Sequence, residues 1–333
     1  MPFRINSIAL RGASALRLGQ ITVLVGPNNS GKSRTLCDMR DYVVTGSAKK
    51  LTILGAIEAD VPATEKEARH NLTILPTASS DIKISGVSNN LLSREEVTVG
   101  GAWFNVPYKE LKGDGRREML LKVLGKFWVA HLDAESRFHI AAATETYDMR
   151  AESPGNAMQA LLHGGKDTLD RFRSAFRETF GTDIALDWAT LRRLYLRVAP
   201  NFGELPNTRD ELDNLMRGAA ELGDQGDGYK SFAGVALAML TFPDRLLLLD
   251  EPEAFLHPAQ ARALGRWIAT IARERPGQVV MATHSSDLLW GLVSTDPTTA
   301  VIRMNRARTG TTFHPVSAET TREHLNKSVD CCQ

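Results

Sequence analysis

Three absences bound what this 333-residue sequence can be. Cysteine is scarce: Cys37 stands alone, Cys331 and Cys332 adjoin each other near the C-terminus, and none has zinc-ligand spacing. That usage suits a reducing compartment. Long apolar runs are missing too. Nothing approaches the roughly 18 residues that span a bilayer, and Met1-Pro2-Phe3-Arg4 opens no signal peptide, so no membrane association and a cytoplasmic location are expected. The third absence is charge of one sign. With a net charge of +1 no global basic field points to nucleic acid, and pairs such as Lys49-Lys50, Arg116-Arg117 and Arg192-Arg193 read first as solvated faces. No repeat or low-complexity tract occurs, and no heptad pattern persists for about three or four heptads, which argues against a long coiled-coil arm. What remains, 43% hydrophobic and 24% charged residues, is an ordinary globular composition with length for one large or two modest domains.

Periodicity sketches the elements. Residues 3–10 alternate like a strand, 21–25 form a buried apolar strand, and 33–43 read as a helix. Between 51 and 108 the signals are strand-like: 81–84 alternate, and 97–99 and 102–104 flank Gly100-Gly101, a hairpin turn signal. Another strand is expected at 127–132. Residues 147–223 read as mostly helical, with Leu169, Phe172, Phe176 and Phe180 on one face of a helix that Gly181 closes. From Tyr229 onward helices and apolar strands alternate. Phe232, Val235, Ala236, Met239 and Leu240 mark one amphipathic helix, and Leu264, Trp267, Ile268 and Ile271 mark the next, with strands at 246–249 and 278–283. Such strands imply a parallel sheet covered on both faces. A hairpin is expected from 299–304 and 311–316. The chain divides into a first lobe at 1–146, a helical insertion at 147–228 and the rest of the core at 229–333.

Four stretches carry chemistry. "GPNNSGKS" at residues 26–33 follows the strand directly and matches the phosphate-binding loop pattern. A chain of this length and ordinary composition produces that string by accident on the order of 1% of the time. Its glycines let Asn28, Asn29, Ser30 and Gly31 turn backbone N–H groups inward around phosphate, next to Arg34 at the helix start. Lys32 would neutralise the β- and γ-phosphates of ATP, and the Ser33 hydroxyl would ligate Mg²⁺. "LLLLDEPEAFLHP" at 246–258 is a buried strand delivering Asp250 to the same Mg²⁺, with Glu251 where a general base would sit. "VVMATHSSDLL" at 279–289 puts His284 at the carboxyl edge of the sheet, within reach of a γ-phosphate. "GDQGDGYKSFAGVALAML" at 223–240 is a second glycine-opened helix and so a second anion-binding terminus. One nucleotide does not easily use two such termini of one subunit; two facing subunits could.

Taken in order, these stretches resemble an ABC-type ATPase head: Walker A at 26–33, signature at Gly226-Asp227-Gly228, Walker B at 246–250 and a switch histidine, His284. The wording "DEPEAFLHP" and "THSSDLL" is similar to the ATPase module of the OLD (overcoming lysogenization defect) nucleases and related stand-alone ATPases. The resemblance implies a P-loop NTPase of ABC-ATPase type, an α/β fold with a mixed sheet, an antiparallel β lobe and an inserted helical lobe. It implies Lys32, Ser33, Asp250, Glu251 and His284 on one half of the ATP site, completed by Gly226, Asp227 and Gly228 of a second subunit. A nucleotide-gated homodimer or larger assembly follows, with hydrolysis releasing the heads. Three departures stand out. Gly226 replaces the usual signature serine. The lobe-joining glutamine has no clear counterpart, Arg137 in "HLDAESRF" being the candidate put forward. No Toprim nuclease domain is expected after His284. A separately encoded nuclease or toxin effector is therefore the expected partner, as in Septu- and PARIS-like anti-phage systems. The alternative is a DNA-maintenance ATPase resembling RecF- or SMC-type heads, with nucleic acid as a direct partner. A non-hydrolysing structural subunit and a transporter head fit less well, given the intact Asp250-Glu251 pair and the altered signature.

Overall fold

The computed structural model describes residues 3–77, 80–307, 310–317, 320, 321 and 323; Cys331 and Cys332 lie outside them. The chain opens with β1 (Arg4–Leu10), β2 (Leu16–Arg17) and β3 (Ile21–Val25), followed by α1 (Lys32–Thr45) and β4 (Leu54–Asp60). After the single turn α2 (Glu65–Ala68) come β5 (Thr73–Pro76), β6 (Asp81–Val87) and β7 (Arg94–Gly100), then α3 (Gly113–Trp128) running straight into β8 (Val129–Leu132). The middle holds α4 (Ala134–Ile140), β9 (Thr144–Glu145), α5 (Ala157–His163), α6 (Gly165–Phe180), β10 (Asp183–Asp187), β11 (Arg193–Ala199), α7 (Arg209–Met216) and β12 (Ala220–Glu221). The last third alternates: α8 (Asp227–Thr241), β13 (Leu246–Asp250), α9 (Pro258–Glu274), β14 (Val279–Thr283), α10 (Ser286–Thr295), β15 (Ala300–Ala307) and β16 (Gly310–Val316).

The central sheet has the order β16-β15-β3-β14-β13-β8 and is parallel except for β16. Its central strands β3, β13 and β14 are buried on both sides because each side meets a different core. Leu247 and Leu249 of β13 face the cluster with Phe232, Leu264 and Leu288, while Leu246 and Leu248 face the one with Leu36, Leu120 and Leu124. Helix α8 is buried continuously from Ser231 to Met239, so it is apolar all round rather than amphipathic. A first antiparallel sheet, β2-β1-β4, and a second, β5-β6-β7, belong to the amino-terminal half. No helix among the described residues is long and apolar enough to cross a membrane.

Three further expectations need correcting. Helical reading of 147–223 holds for α5 to α7 but misses an antiparallel sheet in which β10, β11 and β12 pair in that order and β9 joins β11. The apolar residues of β10 are buried on both faces, which leaves no alternation to betray a strand. Residues 102–104 form no strand. The Trp103 N–H bonds the Gly100 carbonyl at 2.8 Å, and Trp103 and Phe104 bury themselves in the second core, so the chain turns inward; β7 pairs instead with β6. Phe127 and Trp128 end α3 rather than begin a strand, because Leu120, Leu121, Leu124, Phe127 and Trp128 share its buried face. By contrast α6 ends where Gly181 takes a left-handed φ of 67°.

Candidate active site

β3 stops at Val25 and α1 starts at Lys32, so residues 26–31 span the carboxyl edge of the sheet. Gly31 caps α1 at φ 98° with no side-chain cap, leaving the first-turn N–H groups free for an anion. Gly26 is demanded by its neighbour as much as by any ligand, and Gly31 by its left-handed backbone. A Cβ on Gly26, whose φ is 153°, would lie 2.2 Å from the Met304 carbonyl oxygen of β15, and one on Gly31 would lie 2.5 Å from Ile53 Cδ1. Asn29 also takes a left-handed φ of 63°. Lys32 Nζ donates to the carbonyls of Gly26 (2.9 Å) and Pro27 (3.0 Å), folded onto its own loop. Among the described residues the buried Ser30 Oγ has no hydrogen-bond partner.

Parallel register brings the acidic strand alongside. β13 and β14 pair Asp250 with Ala282, so the residues just beyond each strand share one edge. There Ser33 Oγ donates to Asp250 Oδ1 at 3.0 Å, and Glu251 Oε1 lies 3.0 Å from His284 Nδ1. Burial pushes the Asp250 carboxyl above its ordinary range, against the opposing hydrogen bond from Ser33. A cavity of about 390 Å³ is lined by Asn28, Asn29, Gly31, Lys32, Ser33, Arg34, Glu251 and His284. These, with Asp250 held through Ser33, are the residues the sequence singles out, and the fold assembles them. Among the described residues no group of three or more His, Cys, Asp or Glu side chains could hold a metal. Ser33 and Asp250 still offer two adjacent hard oxygens, which fits Mg²⁺ completed by phosphate and water.

Gly226, Asp227 and Gly228 do not join this cavity. Among the described residues no hydrogen bond or ion pair ties them to the loop, Asp250, Glu251 or His284; Asp227 Oδ1 pairs with Lys230 at 3.2 Å instead. Gly226 caps α8 without a side-chain bond, so that helix end is open as well. A Cβ on Gly228 would sit 2.7 Å from the Phe255 carbonyl oxygen. Phe255 is 56% exposed and, like Glu251, adopts a positive φ (71° and 47°). Each such non-glycine backbone costs about 1–3 kcal/mol, so its surroundings must hold it.

A family model described as "AAA domain, putative AbiEii toxin, Type IV TA system" matches residues 87–289, more than half of the chain. The chain belongs to this AAA-domain family. The matched segment contains Asp250, Glu251 and His284 and begins after the glycine loop. Among solved structures, an Smc head bound to the C-winged helix domain of ScpA is similar with a TM-score of 0.56 at 11% identity, covering 96% of this chain and 99% of that one. An Smc head with an extended coiled coil, bound to the C-terminal domain of ScpA and derived from Pyrococcus furiosus, gives 0.51 at 13%, covering 98% and 99%. No curated protein matches. The fold is thus that of a P-loop ATPase, similar to that of Smc heads.

Four residues of this AAA-domain head escape sequence reasoning or land elsewhere than expected. Arg137, put forward for the place of the lobe-joining glutamine, does not line the cavity. It is fully buried, and its guanidinium donates to the carbonyls of Asp250 (2.7 Å) and Glu251 (3.0 Å) and to Ser231 Oγ (3.0 Å). Glu253 is buried behind His284 and accepts from Thr283 Oγ1, its other oxygen having no partner among the described residues; burial raises its pKa. Asp38 of α1 is wholly buried and accepts the backbone N–H groups of Thr52, Ile53 and Leu54. Arg306 of β15 donates to Asn29 Oδ1 at 3.0 Å and so borders the loop. For Arg137 and Asp38 the only available signal was a charged residue inside an otherwise ordinary helix pattern.

Proposed function

We propose that this chain binds and hydrolyses ATP with Mg²⁺ as one half of a nucleotide-gated dimer or larger assembly. The observation that carries the reading is the juxtaposition of the Ser33–Asp250 and Glu251–His284 pairs beside the glycine loop. Lys32, which now bonds its own loop carbonyls, would exchange them for β- and γ-phosphate oxygens. The open first turn of α1 and the unpartnered Ser30 hydroxyl supply further donors. Mg²⁺, held by Ser33 and Asp250, would supply charge neutralisation at the phosphates. Glu251 then takes the proton of the attacking water, and His284 holds that carboxylate in place by the bond already present. The reading for Gly226, Asp227 and Gly228 is that they close the partner's pocket, since α8 presents an uncapped end with no polar tie to its own loop.

The task served by hydrolysis is, in this reading, control of a separately encoded nuclease or toxin in bacterial anti-phage defence. The OLD-like strings and the toxin–antitoxin term in the family description support it. A second reading, an ATPase that clamps DNA, draws on the likeness to Smc heads over nearly the whole chain. DNA-stimulated hydrolysis with steep salt dependence in the isolated protein distinguishes it. For the chemistry itself, Lys32→Ala should bring hydrolysis to background, and Glu251→Gln should keep ATP bound and uncleaved. A Glu251→Gln protein that turns over ATP at the unmodified rate removes the proposed base.

A further inference from the structure

Arg137 heads the fully buried side chains ranked by size, and it bridges the two elements that carry different halves of the proposed site. Its Nε donates to Ser231 of α8, three residues beyond Gly228, while both terminal nitrogens donate to the carbonyls of Asp250 and Glu251. Its three hydrogen bonds all go to backbone and hydroxyl oxygens, while the carboxylates of Glu253, Asp133, Asp250 and Glu251 surround its charge without direct ion pairing among the described residues. The backbones behind it are locked together: a Cβ on Gly234 of α8 would lie 2.4 Å from the Arg137 carbonyl oxygen, so α4 and α8 leave no slack between them. At the other end, the bonded carbonyl belongs to Glu251, whose left-handed φ of 47° needs an external hold. A displacement of α8 therefore reaches the Glu251 backbone through one side chain.

We propose that Arg137 is a positioning residue that couples engagement of the α8 amino terminus to the placement of the Glu251 carboxylate. This rests on the nucleotide-gated dimer reading above. There, α8 of one protomer meets nucleotide held by its partner, while Arg137 of that same protomer sets its own Glu251. Filling one pocket thus readies the other, and the two hydrolyse interdependently.

The test uses the full chain in three forms: unmodified, Ser231→Ala and Arg137→Lys. Ser231→Ala removes only the α8 end of the bridge and touches no residue lining the cavity. The measurements are steady-state hydrolysis against ATP concentration, binding of a fluorescent non-hydrolysable ATP analogue, and the melting temperature. The unmodified protein should show a Hill coefficient above 1, toward the limit of about 2 for two sites. Ser231→Ala should lower it to about 1 and cut kcat about tenfold, with analogue affinity within about twofold. Arg137→Lys should lose both while still binding the analogue, because an ammonium cannot reproduce the planar three-way fork. Ser231→Ala with the unmodified Hill coefficient overturns the coupling, whether or not kcat falls, since a merely structural role lowers rate without touching cooperativity. Should Arg137→Lys fail to fold, Ser231→Ala decides alone. An unmodified chain that binds no analogue strikes at the pocket assignment instead, and its own curve tells the two failures apart.

Discussion

Asp38→Ala tests whether the glycine loop depends on an anchor outside it. Asp38 is 0% exposed, and its carboxylate accepts N–H groups from three successive residues: Thr52 at 2.9 Å, Ile53 at 2.6 Å and Leu54 at 3.0 Å. An unsatisfied buried N–H costs about 1–3 kcal/mol. Leu54 N–H is buried and takes the full cost, whereas the other two are half-buried and partly recover with water. The exposed Arg34 partner adds little. The sum is about 3–4 kcal/mol. For 333 residues the unfolding entropy is about 0.7 kcal/mol per kelvin, so the melting temperature should fall by about 4–6 °C. Residues 52–54, released from Asp38, would no longer brace the helix that the glycine loop opens, so analogue affinity should also drop by about tenfold, on the order of 1.4 kcal/mol. Urea titration followed by tryptophan fluorescence and analogue titration read the two effects separately. A loss below about 1 kcal/mol refutes the anchoring argument. Full destabilisation with intact affinity refutes the link to the loop.

Other expectations concern pH and packing. Burial, helped by Arg40 at 3.5 Å, lowers the His131 pKa from 6.5 to about 4. Between those values the unfolded chain binds more protons, so stability should fall as pH drops, by about 2 kcal/mol between pH 7 and 5. His131→Gln should flatten that slope in urea titrations at the two pH values; an unchanged slope removes His131 as its source. Gly228→Ala places a methyl 2.7 Å from the Phe255 carbonyl, so it should cost about 1–3 kcal/mol and weaken nucleotide-dependent association. A variant as stable and as competent to associate as the parent shows that the contact is slack.

Legibility followed the range of the interactions. β3, β13 and β14 announce themselves because both faces are buried and their apolar runs are cut off by Gly26, Asp250 and, after Thr283, His284. Parallel register then brings their ends together, so three stretches far apart in sequence could be read as one edge, while the fourth, at Gly226, Asp227 and Gly228, stays outside the cavity. Arg137 was misplaced because its partners, Ser231, Asp250 and Glu251, lie 94, 113 and 114 residues away and offer mostly carbonyls, which every residue has. Asp38 hid likewise: its ligands are backbone N–H groups of a loop whose sequence is immaterial to them. The strands β10 to β12 were lost among helices because their pairing is with one another, over a sheet that local propensity does not reveal.

The claim beneath the rest is that one protomer's glycine loop and another's α8 close on the same triphosphate. Glu251→Gln protein, measured by light scattering with saturating ATP and Mg²⁺, tests it most directly. The mass should double on adding nucleotide and return to that of one chain when nucleotide is removed, and Lys32→Ala in the same background should abolish the change. A Glu251→Gln chain that is saturated with ATP and keeps the mass of a single protomer contradicts the account.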